Sequence, residues 1–244
     1  MRTFALSVPV LALAAMTAVS GEVLPRATPE SVGMSAEKLQ SVTALLRQFV
    51  ADRKIAGAVA AVARKDKIVY LEPVGLQNVD TRVPMTEASL FRVYSMTKAV
   101  TAVAVMMLVD EGRLRLEDPA SKYLAEFKNV KVQESGAGPP RNPSREITIK
   151  DLLLHTSGLS HRTSDLYRER RVRSRNEALP QFVTNITQAP LLEDPGTRFR
   201  YSEATTVLGR IVEVVSARPF DVFVNDRILK PLRMTDTMWW VEGE

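Results

Sequence analysis

The chain contains no cysteine among its 244 residues. This excludes disulfide bonds, thiolate metal ligands and a lipid-modified N-terminal cysteine, so the fold must rely on its apolar core. Histidine occurs only at His155 and His161, and neither stands in a metal-binding spacing with acidic residues. Phosphate-loop and dinucleotide fingerprints are also absent. We therefore expect no metal ion and no cofactor.

Long apolar runs are scarce, and the clearest one begins the chain. A positively charged head precedes an almost wholly apolar stretch over residues 4–16, and Ala18-Val19-Ser20 offers a small-x-small cleavage pattern. The stretch is shorter than the roughly 20 residues that a membrane-spanning helix needs. We expect residues 1–20 to be a cleaved signal peptide, with an uncleaved anchor as the alternative. Residues 21–244 would then form one exported domain, periplasmic or secreted, that does not span the membrane.

Positive charge is concentrated in one stretch. The formal net charge is +5, and six arginines lie between His161 and Asn176: Arg162, Arg168, Arg170, Arg171, Arg173 and Arg175. A solvated helix or loop face is the simpler interpretation. The alternative is a surface for an anionic cell-envelope polymer or an acidic substrate. Nucleic acid is not an expected partner, because no aromatic-interleaved or helix-turn-helix pattern accompanies the arginines.

Hydrophobic periodicity predicts an α+β fold. A helix from Ser35 to about Asp52 precedes a hairpin formed by 55–63 and 67–71, and residues 75–84 are turn-prone. Further helices are predicted over 95–110, 149–154, 178–187, 204–216 and 220–228. The 95–110 helix is apolar almost all round, which predicts burial on every side, and Gly112 is a plausible stop signal. Only 237–241 supplies another strand pattern, so the sheet looks incomplete.

Chemistry is concentrated in Tyr94-Ser95-Met96-Thr97-Lys98, at the start of the most apolar helix. Residues i and i+3 share a helix face, so the Lys98 amine can lie beside the Ser95 hydroxyl. Burial would favour an uncharged amine that can act as a base. An N-cap serine followed by a snorkelling lysine is the structural alternative. No Gly-x-Ser-x-Gly elbow occurs in the chain, which disfavours an α/β-hydrolase.

Five segments resemble the β-lactamase and penicillin-binding-protein superfamily, in particular its class C-like branch with family VIII carboxylesterases. Their order and spacing also match, over roughly residues 25–241. The segments are Leu90–Lys98, Gly112–Pro119, Ile147–Leu159, Pro195–Ser202 and Pro231–Thr237. The Ser-x-x-Lys string is a known signature of this group. The resemblance implies a β-lactamase/transpeptidase-like fold, with a sheet-plus-helix region and a mostly helical region.

The resemblance also implies a catalytic set. Ser95 would attack an ester or amide carbonyl, and Lys98 and Tyr201 would carry its proton to the leaving group. A core tyrosine is the alternative for Tyr201. The family often has Tyr-x-Asn here, where the amide contacts the substrate, but this chain has Glu203 as the third residue. Glu203 is therefore a candidate substrate-binding residue that would repel a substrate carboxylate, unless it faces solvent.

One family element is missing from the sequence. The downstream Lys-, His- or Trp-x-Gly triad, which supplies the second oxyanion N–H, does not occur anywhere in the chain. We therefore expect the domain to be C-terminally truncated, with uncertain activity, since losing one oxyanion donor costs about 10²–10³ in rate. Hydrolysis of small carboxylic esters is the leading hypothesis. The alternatives are a β-lactamase or D-Ala-D-Ala carboxypeptidase, and a non-catalytic envelope-binding fragment.

Overall fold

The computed structural model describes residues 24–133, 138–174 and 177–239. The expected signal peptide lies outside the described residues, as does the end of the strand expected at 237–241. The chain divides into two compact units, Met1–Ser89 and Leu90–Glu244. Within the described residues, all β-strands belong to the first unit, and most helices belong to the second.

The first unit combines one helix with a three-stranded antiparallel sheet. Helix α1 (Ala36–Ala51) is capped by Ser35, whose side chain accepts the Lys38 N–H at 3.2 Å. The strands follow in sheet order as β1 (Gly57–Arg64), β2 (Lys67–Asn78) and β3 (Val83–Pro84). The predicted helix and hairpin are confirmed.

Strand β2 is longer than the sequence predicted. It continues past 71 to Asn78, and part of the expected turn region forms β3, so the prediction of a plain turn there was wrong. Pro73 is tolerated because it pairs with Val59 of β1, whereas pairing with β3 begins only at Leu76. A proline lacks the N–H for a second ladder, and at this position β2 has only one neighbouring strand.

The second unit is built from helices of the expected lengths. They are α2 (Thr97–Asp110), α3 (Ile149–Leu154), α4 (Asp165–Glu169), α5 (Leu179–Thr187), α6 (Ala204–Ser216) and α7 (Phe220–Val224). Only α4 was not predicted as a helix. The predicted helix over 220–228 is α7 followed by a π-helical turn, Asn225–Leu229. None of the helices in the described ranges is long and apolar enough to cross a bilayer.

Helix α2 packs against α6 and α7 in the core of this unit. Val105 and Leu108 of α2 are fully buried, but Val103 is 49% exposed and Met106 is 39% exposed. The prediction of burial on every side was therefore wrong, because the described helices that pack on α2 cover one side only. The predicted stop is confirmed: Gly112 has a φ of 69°, and its N–H bonds to the Val109 carbonyl at 2.9 Å.

Candidate active site

The chain enters α2 through a short 3-10 turn, Tyr94–Met96, in which Tyr94 has a left-handed φ of 41°. Ser95 is exposed at this entrance, and Lys98 is half-buried one turn further along. The Lys98 Nζ donates to the Ser95 Oγ at 3.4 Å. The helical spacing thus brings the two groups together, but the deep burial expected around them is not observed.

Tyr201 reaches the same point from 106 residues away in the sequence. Its hydroxyl donates to the Ser95 Oγ at 2.5 Å, and the Lys98 Nζ lies 4.7 Å from the centre of its ring. The three residues predicted from the sequence therefore converge on one oxygen atom. Hydrogen bonding with Lys98, and then with Ser95, lowers the pKa of Tyr201 from its ordinary value. A lowered pKa makes this phenol easier to deprotonate than a free tyrosine.

Both histidines of the chain lie against Tyr201. The His155 ring centre is 5.0 Å from that of Tyr201, and the His161 ring centre is 5.6 Å from it. His155 Nδ1 accepts the Ser202 N–H at 3.2 Å, which leaves the proton of a neutral ring on Nε2. Burial, followed by the positive charge of Lys98, lowers the pKa of His155. A neutral ring therefore supports the tyrosine without adding a competing charge.

Sequence reasoning missed this role of the histidines. His155 ends α3 in the left-handed conformation, with a φ of 56°. Its contact with Tyr201 spans 46 residues, and no spacing in the sequence signals a pair so far apart. In the described part of the chain, no group of histidine and acidic side chains has the arrangement of a metal site.

Glu203 follows Tyr201 by two residues, and its side chain does not face solvent. It is only 5% exposed, so the solvent-facing alternative was wrong. Its Oε2 accepts from the Arg173 guanidinium at 2.6 Å and from the Thr206 hydroxyl at 3.1 Å. His161 Nε2 lies 4.0 Å from its Oε1. A paired carboxylate repels an anionic substrate less than the free one that the sequence suggested. Contact between Glu203 and a substrate stays a prediction.

Backbone hydrogen bonds fix the position of Tyr201. They join the loop after α3 to the segment 192–203, and Gly158 allows the two to approach closely. Gly158 has a φ of 79°, and a Cβ on it would lie 2.2 Å from the Glu193 carbonyl oxygen. The carbonyls of His155, Thr156, Gly158 and Ser160 accept from the N–H groups of Arg200, Gly196, Leu192 and Glu203, respectively, at 2.7–3.1 Å.

A capping box holds α3 at the base of this loop. Thr148 accepts the Asp151 N–H at 3.2 Å, and the Asp151 carboxylate accepts the Thr148 N–H at 2.9 Å. Arg145 adds a two-pronged contact to the same carboxylate at 2.6 and 2.9 Å. Against the cost of burial, these bonds lower the pKa of Asp151 to about 2. The helix that positions His155 is therefore anchored by a buried charge.

The Lys98 amine and the Tyr201 phenol both meet the Ser95 hydroxyl. This is the arrangement used by Ser-x-x-Lys enzymes that transfer acyl groups. The family model named Beta-lactamase matches residues 42–244. The chain therefore belongs to the β-lactamase family and has its transpeptidase-like fold, as the resemblance implied.

Relatives with different names share this chain's sequence and fold. Protein Rv1367c of Mycobacterium tuberculosis is 37% identical over 196 residues, which cover 78% of this chain and 49% of that protein. Esterase EstB of Burkholderia gladioli is 33% identical over 217 residues, which cover 85% and 53%. The structure of EstCE1, described as a hydrolase with promiscuous acyltransferase activity, superposes with a TM-score of 0.70 and 29% identity, covering 81% and 52%. The chain spans about half the length of the curated relatives it matches.

Proposed function

We propose that this protein hydrolyses small carboxylic esters through an acyl-enzyme on Ser95. The convergence of Lys98 and Tyr201 on the Ser95 Oγ is the observation that carries the proposal. The names of two relatives, an esterase and a hydrolase with acyltransferase activity, support an ester as the substrate. The Ser95 side chain is exposed, so an ester can reach it from solvent.

The reaction needs one proton carrier in each half. A Tyr201 phenolate, stabilised by the Lys98 ammonium, takes the Ser95 proton as the Oγ attacks the ester carbonyl. The C–O bond to the alcohol then breaks, and Tyr201 returns the proton to the departing alkoxide. In the second half, water gives its proton to Tyr201 and attacks the acyl carbonyl. The bond between the acyl carbon and the Ser95 Oγ then breaks, Tyr201 returns its proton to that oxygen, and the acid leaves.

Turnover of two chromogenic substrates tests the proposal. We expect the protein to hydrolyse 4-nitrophenyl butyrate with nitrocefin as a poor substrate, and we expect the Ser95→Ala variant to be inactive on both. Preferential turnover of nitrocefin would transfer the assignment to a β-lactamase or a D-Ala-D-Ala carboxypeptidase, which would use the same residues. No turnover of either substrate and no acylation of Ser95 would instead indicate a non-catalytic binding protein.

We also propose that the protein is exported and that residues 1–20 are its signal peptide. The positive head, the short apolar stretch and the small-x-small pattern support this. N-terminal sequencing of the mature protein from the cell envelope should begin near Gly21. An unprocessed Met1 in a cytoplasmic fraction would contradict it. An anionic envelope polymer remains a candidate partner for the exposed arginines of 162–173.

A further inference from the structure

A cleft lined by four arginines lies beside residues 192–203, the segment that carries Tyr201. Thr163, Tyr167 and Ser174 are among the residues that line it, and within the described residues no aspartate or glutamate lines it. Tyr167 is almost fully buried, and its hydroxyl oxygen accepts the Ser160 N–H at 2.9 Å. The guanidinium groups that line the cleft belong to Arg162, Arg168, Arg171 and Arg173. Such a lining offers hydrogen-bond donors and positive charge, which suits an anion.

Only two of these four arginines have acidic partners in the described residues. Arg173 pairs with Glu203 at 2.6 Å, and Arg168 pairs with Asp165. Within those same residues, neither Arg162 nor Arg171 forms an ion pair. Like charges gathered around a concave surface repel one another, and a bound anion would offset that repulsion. The planar guanidinium also matches the oxygen geometry of a carboxylate or a phosphate.

Contacts connect the cleft to the reacting groups. The His161 ring lies 5.6 Å from the Tyr201 ring, and the next residue along the chain is Arg162. From the other direction, Arg173 of the cleft binds Glu203, two residues after Tyr201. The cleft therefore borders the segment that carries Tyr201. A substrate that spans both places needs a chain of carbon atoms between its scissile ester and its anionic group.

We propose that this cleft is a subsite for an anionic group, carboxylate or phosphate, carried by the substrate at a distance from its ester bond. The proposal rests on the ester hydrolysis proposed above. The Glu203 carboxylate does not oppose the anion, because Arg173 compensates its charge. The cleft therefore favours anionic esters over neutral esters of the same size.

Paired substrates measure this preference. For the unmodified chain, we expect kcat/KM to be higher for the 4-nitrophenyl half-ester of glutarate than for 4-nitrophenyl butyrate. The double variant Arg162→Gln/Arg171→Gln should lower kcat/KM for the glutarate ester about five- to tenfold and leave the butyrate ester unchanged. Arg53→Gln/Arg82→Gln is the matched control, because both arginines are exposed and the same charge is removed in the first unit. Equal losses for both esters, or equal losses in both double variants, would overturn the proposal.

A binding measurement separates the cleft from the catalysis. In a Ser95→Ala background, glutarate, inorganic phosphate and long-chain polyphosphate are titrated calorimetrically, and glutarate or inorganic phosphate should show binding that Arg162→Gln/Arg171→Gln abolishes and the control keeps. The stronger of the two ligands identifies the anionic group. This result would support the cleft even if turnover of every ester failed. Binding of neither ligand, or binding only of long-chain polyphosphate, would overturn the proposal, and the latter would assign the arginines to a polymer surface.

Discussion

The two sides of the candidate site differ sharply in how they are built. On the side that carries Tyr201, called the tyrosine side, Ser202 and Glu203 are buried and hydrogen-bonded to neighbouring segments. On the serine side, Tyr94 and Met96 flank Ser95 and are each 71% exposed. Tyr201 is itself 41% exposed, but the two residues after it are fixed by these contacts, whereas Ser95 stands on an exposed turn. The difference teaches that neighbouring segments set the position of Tyr201, whereas α2 and the hydrogen bond to the Tyr201 hydroxyl hold Ser95.

Removing the Tyr201 hydroxyl should have the largest effect. Tyr201→Phe keeps a ring between His155 and His161 but deletes the proton carrier, so we expect Ser95 acylation to slow by about 10²–10⁴. The rate of labelling by a fluorophosphonate measures this loss. Thermal unfolding is the control and should change little, because the ring contacts remain. A loss below tenfold would show that the phenol does not carry the proton.

Lys98 should set the pH at which Tyr201 works. Its charge and hydrogen bond favour the phenolate, so the acylation rate should rise with pH to a midpoint below 10, the ordinary tyrosine value. Lys98→Met removes both effects and should move the midpoint upward. The pH profile of Ser95 labelling in the two proteins measures the shift. An unchanged midpoint in Lys98→Met would show that Lys98 does not lower the pKa of Tyr201.

Asp151 should stabilise the tyrosine side through α3. Its pKa is about 2 in the folded chain against an ordinary value of 3.8, so ionised Asp151 stabilises the fold. This contribution is complete above pH 3.8 and is lost as the pH falls towards 2. We expect Asp151→Asn to lower the free energy of unfolding by about 2 kcal/mol at pH 7. Denaturant melts at pH 7 and at pH 2.5 measure it, and an equal difference at both would contradict the ionic explanation.

The serine side should respond least to substitution. Met96 is exposed beside Ser95, so Met96→Ala should change the free energy of unfolding by less than about 0.5 kcal/mol. The same denaturant melts, run beside Asp151→Asn, measure the contrast between the two sides. A loss of 2 kcal/mol or more for Met96→Ala would mean that the serine side is as tightly built as the tyrosine side.

The sequence predicted the parts of the site that depend on local spacing. Ser95 and Lys98 are one helical turn apart, and α6 begins and ends where its apolar period does. The extent of burial was not predictable, because the composition of α2 does not reveal which neighbours cover it. The contacts of His155 and Glu203 also escaped prediction, since they depend on how distant segments meet. A motif fixes neighbours one turn apart, but it does not fix those that tertiary packing brings together.

The most direct test of the account is the site and rate of covalent labelling by a fluorophosphonate. Peptide mass spectrometry should find the adduct on the peptide that contains Ser95, at a rate that falls in Lys98→Met and falls further in Tyr201→Phe. An adduct on another residue, or the same labelling rate in all three proteins, would contradict the assignment of Ser95, Lys98 and Tyr201 to one reaction.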